Sequence, residues 1–379
     1  MTSPLPEKPR AIARRLWVRT VASTSVLVLF LCAFVGQFSM HSPRASGTAF
    51  YGTSRFPSSF DTLSTIPLVP GGPIRWTPAA PSPTARFEGY AFGYHEKLFT
   101  FGGYKSLIHP YAVNTDGAVY DVASNTWTTL GTIPIAPTHA GMAPDPEDGI
   151  LYFVGGLQGA YPGVTTTQVW SFNMDQNSWT TLPPLPIPLA AGSAVFVSSQ
   201  LHYFGGIGAQ DRNTNVPVHY VLTTGDDHWH AAAPLPTPRD HLTALTFNGK
   251  IYAFGGEIGH DAHHLQQTLA HVYDPVTDTW SRLPDMPRSK SHTEASAFVR
   301  DGKIVIAGGQ IDQFASTDTI LQFDPASNSW SLLGRLPAAL QGTVLQPVGS
   351  RLILTQGYDG THMNTHSWTS DLPVNSSSN

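Results

Sequence analysis

A period of about fifty residues, marked twice over, constrains this chain more than any other feature. A Gly-Gly doublet recurs at 102–103, 155–156, 205–206, 255–256 and 308–309, at intervals of 53, 50, 50 and 53. Gln356-Gly357 follows 48 residues later as a degenerate sixth. A tryptophan recurs in step at Trp76, Trp127, Trp179, Trp229, Trp280 and Trp330, at intervals of 51, 52, 50, 51 and 50. Two independent markers on one period describe tandem units, each of which buries its faces against its neighbours.

The interior of a unit reads as four short strands. In residues 239–283 an apolar-rich strand, His241 to Phe247, meets Asn248-Gly249, the strongest short hairpin signal. A second strand, Lys250 to Phe254, ends at Gly255-Gly256. A longer loop leads to a third strand, His271 to Tyr273, then an Asp274-Pro275 turn and a fourth strand starting at Trp280. An aromatic before that turn recurs as Tyr120, Phe172, Tyr220, Tyr273 and Phe323. Composition agrees: Gly (34) and Pro (32) are abundant and spread along the chain, which favours all-β over α/β. Four antiparallel strands per repeat make one propeller blade. The doublet turns the chain where a side chain would collide with a neighbour, and the tryptophan fills the wedge between blades.

Six such units must close into a ring, because one blade cannot bury both faces. The last unit supplies strands at Gly342–Val348 and Arg351–Thr355 and a third near His366–Trp368, then runs out of tryptophan strands. Ile74-Arg75-Trp76-Thr77 is an orphan strand of that type before the first doublet. The expected fold class is therefore all-β, a six-bladed β-propeller over residues 73–372, closed by the strand at 73–79, with a disordered tail at 373–379.

The stretches GKIYAFGG, VYDPVTDTWSRLPDMP, GKIVIAGG and FDPASNSWSLL resemble kelch repeats. The resemblance covers about residues 73–372. Blade 3 departs most, since Tyr220 is followed by VLTTGDDHW rather than a DP turn, and blade 6 lacks the doublet. Kelch propellers serve unrelated functions, so the resemblance implies architecture before activity. Three relatives frame the expectations. Galactose oxidase needs a cysteine cross-linked to tyrosine; the only cysteine here is Cys32, outside the repeats, which excludes that copper-radical chemistry. Bacterial sialic-acid mutarotases are exported six-bladed kelch proteins. Exported kelch proteins of undefined activity look most like PRDH…GGEIGHDAHH…SHTEAS in this chain.

The N-terminus predicts export. Lys8, Arg10, Arg14, Arg15 and Arg19 fall in a basic region at 1–19, against one acid, Glu7. Residues 20–40 then carry no charge and are long enough to cross a bilayer, as a signal-anchor or a cleaved signal peptide. Residues 41–72 are rich in Ser, Pro, Gly and Thr and read as a flexible linker. The propeller is thus expected outside the cytoplasm, as the ectodomain of a single-pass membrane protein or as a secreted or periplasmic domain. Net charge of −5 gives no electrostatic case for nucleic acid.

The loop after each doublet and the approach to each first strand should share one face around the channel. On that face blades 4 and 5 are polar, with Arg239, Asp240, His241, Glu257, His260, Asp261, His263, His264, His292, Glu294, Gln310, Asp312 and Gln313. Blade 1 adds Arg86 and Glu88, blade 2 His139 and blade 6 Gln341, whereas blade 3 offers only Leu189-Ala190-Ala191. An asymmetric polar pocket suits a small polar ligand such as a sugar. Glu-Ile-Gly-His-Asp-Ala-His-His (257–264) has metal-ligating residue types, but the reading adopted is a solvated polar loop, with no metal and no cofactor. Glu257 or Glu294 beside Arg239 is either an acid/base pair with an anion clamp or an ion pair bracing two blades. His241 and His292 occupy equivalent blade positions and are expected at least to bond neighbouring loops. The functional expectation is a carbohydrate- or protein-binding module using the channel face of blades 4 and 5, with a sugar epimerase or mutarotase as the alternative.

Overall fold

The computed structural model describes residues 66–67, 74–260, 264–312 and 315–370. The segments at 1–19, 20–40 and 373–379, and most of 41–72, lie outside the described residues.

Six four-stranded antiparallel sheets carry the architecture, one for each period. Blade 4 shows why the repeat folds as it does. Its first two strands, Thr243–Phe247 and Lys250–Phe254, pair across Asn248-Gly249, where both turn residues have positive φ. The third and fourth strands, Ala270–Asp274 and Thr279–Arg282, complete the sheet, with Tyr273 opposite Trp280. The first strand begins two residues later than expected, because His241 has φ 45° and cannot continue an extended chain.

The ring closes as the orphan strand predicted. Trp76–Ala79 pairs antiparallel with Ser367–Ser370, which lies beside Arg351–Thr355 and Val344–Val348. The tryptophans repeat one bond around the ring. The indole N–H of Trp127 donates to the Ala80 carbonyl, Trp229 to Pro183, Trp280 to Ala233 and Trp330 to Pro284, at 2.9–3.0 Å. Trp76 makes the same bond to Arg335, 259 residues away in sequence, at 2.9 Å. Aromatic rings fill the wedges between blades, as where Phe101 meets Phe153, Phe172 and Trp179 at 5.2–5.7 Å.

The doublets form a second set of inter-blade bonds. The second residue of each donates its N–H to the connector of the next blade: Gly103 to Pro137, Gly156 to Leu189, Gly206 to Arg239, Gly256 to Lys290, Gly309 to Leu340 and Gly357 to Arg86. The first glycine lies directly under the same carbonyl. A Cβ on Gly255 would sit 2.1 Å from the Lys290 oxygen, and its φ of +59° disfavours a side chain independently. Blade 6 manages without that glycine. Gln356 adopts φ 62°, and its amide donates to Ser82 Oγ at 3.0 Å.

One expectation needs correction. In blade 3 the residue at the position of Tyr273 is Leu222, not Tyr220: Leu222 pairs with Leu201 as Tyr273 pairs with Ile251. The VLTTGDDHW loop shifts the frame, so Tyr220 faces Ala231 and Val221 faces His230. Within the span expected as linker, the Pro67 carbonyl accepts the N–H of Leu332 in blade 5.

Candidate functional site at the channel mouth

Six equivalent residues form a collar where each blade's chain turns into its innermost strand. They are Glu88, His139, Ala191, His241, His292 and Gly342, and all have φ between 45° and 63°. Left-handed backbone at five non-glycine residues costs about 1–2 kcal/mol each by local sterics. The surrounding bonds impose it. Ala191 N–H donates to the His139 carbonyl at 2.7 Å, His241 to Ala191 at 2.9 Å, and Gly342 to His292 at 3.0 Å. The residue before each collar position is bridged to the residue after the doublet, as Asp240 is to Glu257, Ser291 to Gln310, Gln341 to Tyr358 and Phe87 to Tyr104.

This arrangement gathers a compact cluster of imidazoles and carboxylates. His241 Nδ1 lies 2.8 Å from Asp240 Oδ1 and 3.4 Å from Glu257 Oε1. His260 Nδ1 lies 3.5 Å from Asp240 Oδ2. Glu88 stands between His292 Nε2 at 3.1 Å and His139 Nε2 at 3.4 Å. The acids are held in turn: Asn215 donates to Asp240 Oδ2 at 2.7 Å, and Gln266 to Glu257 Oε2 at 3.0 Å. Ser291 Oγ reaches Glu257 Oε2 at 3.3 Å and His292 Nδ1 at 2.8 Å. No side chain among these four histidines and three acids is more than 12 % exposed.

Burial and charge pull the titrations apart. Burial alone would raise the Glu88 carboxyl, but His139 and His292 hold it well below the usual carboxylate range. Burial would likewise raise Asp240 and Glu257, and hydrogen bonds from His241 reverse both. Burial opposes protonation of His241, yet its bonds to Asp240 and Glu257 outweigh that and raise it well above the ordinary imidazole value. His139 goes the other way, pushed well down by burial despite Glu88.

Glu294 sits one layer deeper. It lines a small chamber, where the residue keeps solvent-accessible surface although protein crowds around it. Burial raises its pKa, with His241 and His292 partly offsetting the rise. That chamber is about 40 Å³ and is lined mostly by Gly, Ala and Ser, including Gly141, Gly192, Ser193 and Ala244. That volume has room for a few waters but not for an organic ligand.

Arg86 and Arg239 do not join the cluster. Arg239 Nε donates to the Gly255 carbonyl at 2.7 Å and Nη1 to Thr237 at 2.9 Å, with no acid partner among the described residues. Arg86 binds the Gly102 carbonyl at 2.7 Å and pairs with Asp116. Lys290 occupies the matching place in blade 5 and bonds the Gly308 carbonyl. These cations stand two residues before the collar and cap the doublet carbonyls. Neither an anion clamp nor an ion pair to Glu257 or Glu294 exists at Arg239. Burial lowers its pKa to about 9, so it stays charged at neutral pH. Gln310 is buried beside Ser291, with its Nε2 lacking a hydrogen-bond partner. Gln341 holds Tyr358 through backbone bonds. Asp261, His263 and Gln313 lie outside the described residues, while His264 Nδ1 lies 3.3 Å from the His260 carbonyl.

An aromatic wall adjoins the cluster, and sequence reasoning missed it. Phe87 stacks on His292 at 5.7 Å and meets Tyr358 at 5.9 Å and Tyr104 at 6.5 Å. Tyr104 meets His139 at 6.1 Å and Tyr111 at 5.8 Å, and Tyr111 meets Tyr161 at 4.6 Å. The missed signal was positional. Tyr104 and Tyr358 directly follow the doublets of blades 1 and 6, where blades 4 and 5 carry Glu257 and Gln310.

The comparisons agree with this architecture. Residues 147–357 match the family model described as the KLHDC2/KLHL20/DRC7 Kelch-repeats domain. Kelch repeat-containing protein At3g27220 of Arabidopsis thaliana is 26 % identical over 293 residues, covering 71 % of this chain and 67 % of that protein. Kelch-like protein terF of Aspergillus terreus is 29 % identical over 258 residues, covering 66 % of this chain and 55 % of that protein. Kelch-like protein 25 of Xenopus tropicalis is 27 % identical over 267 residues, and the chain spans only 42 % of it. Among solved structures, "Structure of YjhT" is similar with a TM-score of 0.61 at 16 % identity, covering 76 % of this chain and 95 % of that one. At that identity the likeness concerns the fold alone.

Proposed function

This chain belongs to the kelch-repeat family, and on that premise we propose that it is a recognition propeller which binds a carbohydrate at the mouth of its channel. Kelch propellers commonly act as interaction modules, and this reading specifies the ligand. One observation carries it: the rings of Tyr104, Tyr111 and Tyr161 run without a break into the imidazole–carboxylate cluster. Tyr111 and Tyr161 are half-buried, so each offers part of a ring to a ligand. A pyranose presents apolar C–H faces and a rim of hydroxyls, which suits an aromatic wall on one side and fixed acceptors on the other. The 40 Å³ chamber admits no sugar, so the ligand rests above the collar.

A glycan array followed by calorimetry on the full-length protein tests this. Tyr111→Ala combined with Tyr161→Ala should weaken binding at least tenfold, as should Glu257→Gln. Unchanged affinity in these variants would sink the reading. Capture of a polypeptide and of no glycan would move the same face to a protein partner.

A mutarotase or epimerase is the second reading. Glu294 is pushed up by burial while Glu88, on the same channel, is held down, which is the separation an acid and a base require. It demands turnover of one anomer, lost in Glu294→Gln.

We also propose that the propeller works outside the cytoplasm, tethered or released by the segment at 20–40. The support is that uncharged segment after five basic residues. Protease protection in sealed vesicles, with N-terminal sequencing of the mature protein, tests this.

A further inference from the structure

We propose that the channel mouth is a binding site for a zinc-class divalent cation, held by His139, His241 and His260. The three rings form a nearly equilateral triangle. Their centroids are 5.0 Å apart for His139 and His241, 5.1 Å for His241 and His260, and 5.2 Å for His139 and His260. Three imidazoles on one tetrahedral ion, with Zn–N bonds of about 2.0–2.1 Å, place their centroids roughly 5 Å apart. The candidate ligand atoms of these three residues all lie within 4.8 Å of one another.

The nitrogens are arranged as metal ligands are. A ligating imidazole usually has its other nitrogen against a carboxylate, which fixes the ring. His241 meets this condition: Nδ1 is on Asp240, while Nε2 is buried without a hydrogen-bond partner. His139 meets it through the opposite atoms, with Nε2 facing Glu88 and Nδ1 buried without one. Two buried imidazole nitrogens left unpaired in one cluster represent a cost that a fold does not need. A cation bound by both removes it. His260 completes the triangle: its Nδ1 is 3.5 Å from Asp240 Oδ2 and its Nε2 3.5 Å from the Arg212 guanidinium, both longer than a good hydrogen bond.

Charge favours the ion as well. Glu88, Asp240, Glu257 and Glu294 surround the triangle, against one nearby guanidinium among the described residues, that of Arg212. Imidazoles with carboxylate support suit zinc, nickel or copper rather than magnesium or calcium, which prefer all-oxygen shells. Three protein ligands leave a fourth position open toward the mouth, where a water or a ligand hydroxyl can complete the shell. Fold does not require this chemistry, since the collar position in blade 3 is Ala191.

The test uses the full-length protein, stripped with chelator and titrated with zinc chloride. Calorimetry should give one site per chain, and elemental analysis after desalting about one zinc per chain. Cobalt substitution should give the strong visible absorption of a tetrahedral site. His260→Ala and His241→Ala should each lose binding at least a hundredfold. Glu88→Gln, which only loosens His139, should weaken it about ten- to a hundredfold. Substoichiometric zinc, or equal affinity in wild type and His260→Ala, overturns the proposal. If His241→Ala fails to fold, unchanged zinc affinity in both His260→Ala and Glu88→Gln overturns it equally. The inference goes beyond the carbohydrate reading, and the two fail separately. Glycan binding that persists in chelator without zinc uptake leaves only the first, and zinc uptake without glycan binding leaves only the second.

Discussion

Blades 3 and 4 stand side by side with the same backbone and opposite chemistry. Both donate a doublet N–H to the next connector, and both turn into the channel through a left-handed collar residue. Blade 3 fills the connector, collar and post-doublet places with Leu189, Ala190, Ala191 and Ile207. Blade 4 fills them with Arg239, Asp240, His241 and Glu257. The same turn is therefore made without a single charge, and the blade 4 constellation is not there to hold the backbone. Within it the roles divide. Arg239 bonds backbone carbonyls, and its neighbours two residues on face the channel.

The comparison assumes one closed ring, so the largest expected effect comes from opening it. Deleting residues 73–80 removes the strand that completes blade 6 and the Trp76 bond to Arg335. The calorimetric transition should lose its cooperativity, and a melt identical to wild type would refute the closure. Next comes the connector. Arg239→Ala leaves the Gly255 and Thr237 carbonyls without their donors in a fully buried place and should cost about 3 kcal/mol in denaturant unfolding. Arg239→Leu copies Leu189 and should cost about half as much, since volume is kept. Equal losses would assign the whole effect to the bonds.

Blade 3 has its own liability. His202 Nδ1 and His219 Nε2 lie 2.9 Å apart, and His219 packs on Tyr273 of blade 4 at 4.6 Å. Burial, with help from His219's charge, lowers His202 to about 3, and burial lowers His219 to about 4. The unfolded chain binds these protons first as pH falls below about 6.5, so stability drops from there toward pH 4. Each imidazole should account for a loss on the order of 3 kcal/mol at pH 4, and the pair for about 6. His219→Ala, which copies Ala270 of blade 4, should flatten the acid limb of a Tm-against-pH curve. An unaltered limb would show that the pair is protonated in the fold.

The smallest effect on stability should come from converting blade 4 to blade 3 at the mouth. Asp240→Ala with His241→Ala and Glu257→Ile removes buried charges together and should change stability by no more than about 1–2 kcal/mol, in either direction. Ligand and zinc binding should both vanish. A collapse of the fold would mean that the cluster braces the ring after all.

Much of this was legible in residue spacing. The doublets and tryptophans gave the number of blades, the order of strands and the strand that closes the ring. They also put the polar face on blades 4 and 5, because equivalent positions in a repeat occupy equivalent places. What spacing could not give is direction. Arg239 and His241 are two residues apart, and the left-handed turn at the collar sends them to opposite surroundings, so Arg239 read as a partner of Glu257 or Glu294, in a clamp or an ion pair, when it caps backbone carbonyls. The reach of Glu88 across the ring to both His139 and His292 joins residues 51 and 204 positions apart, and no local pattern encodes it.

Sequence alone thus determined a shut ring of six blades, since fifty-residue units with two unpaired faces have no other economical way to bury them. Only tertiary structure decided that three histidines from blades 2 and 4 stand at the corners of one triangle beside a wall of tyrosines. Convergence on an axis depends on how six blades are rotated about it, a quantity that no stretch of chain shorter than the whole ring contains.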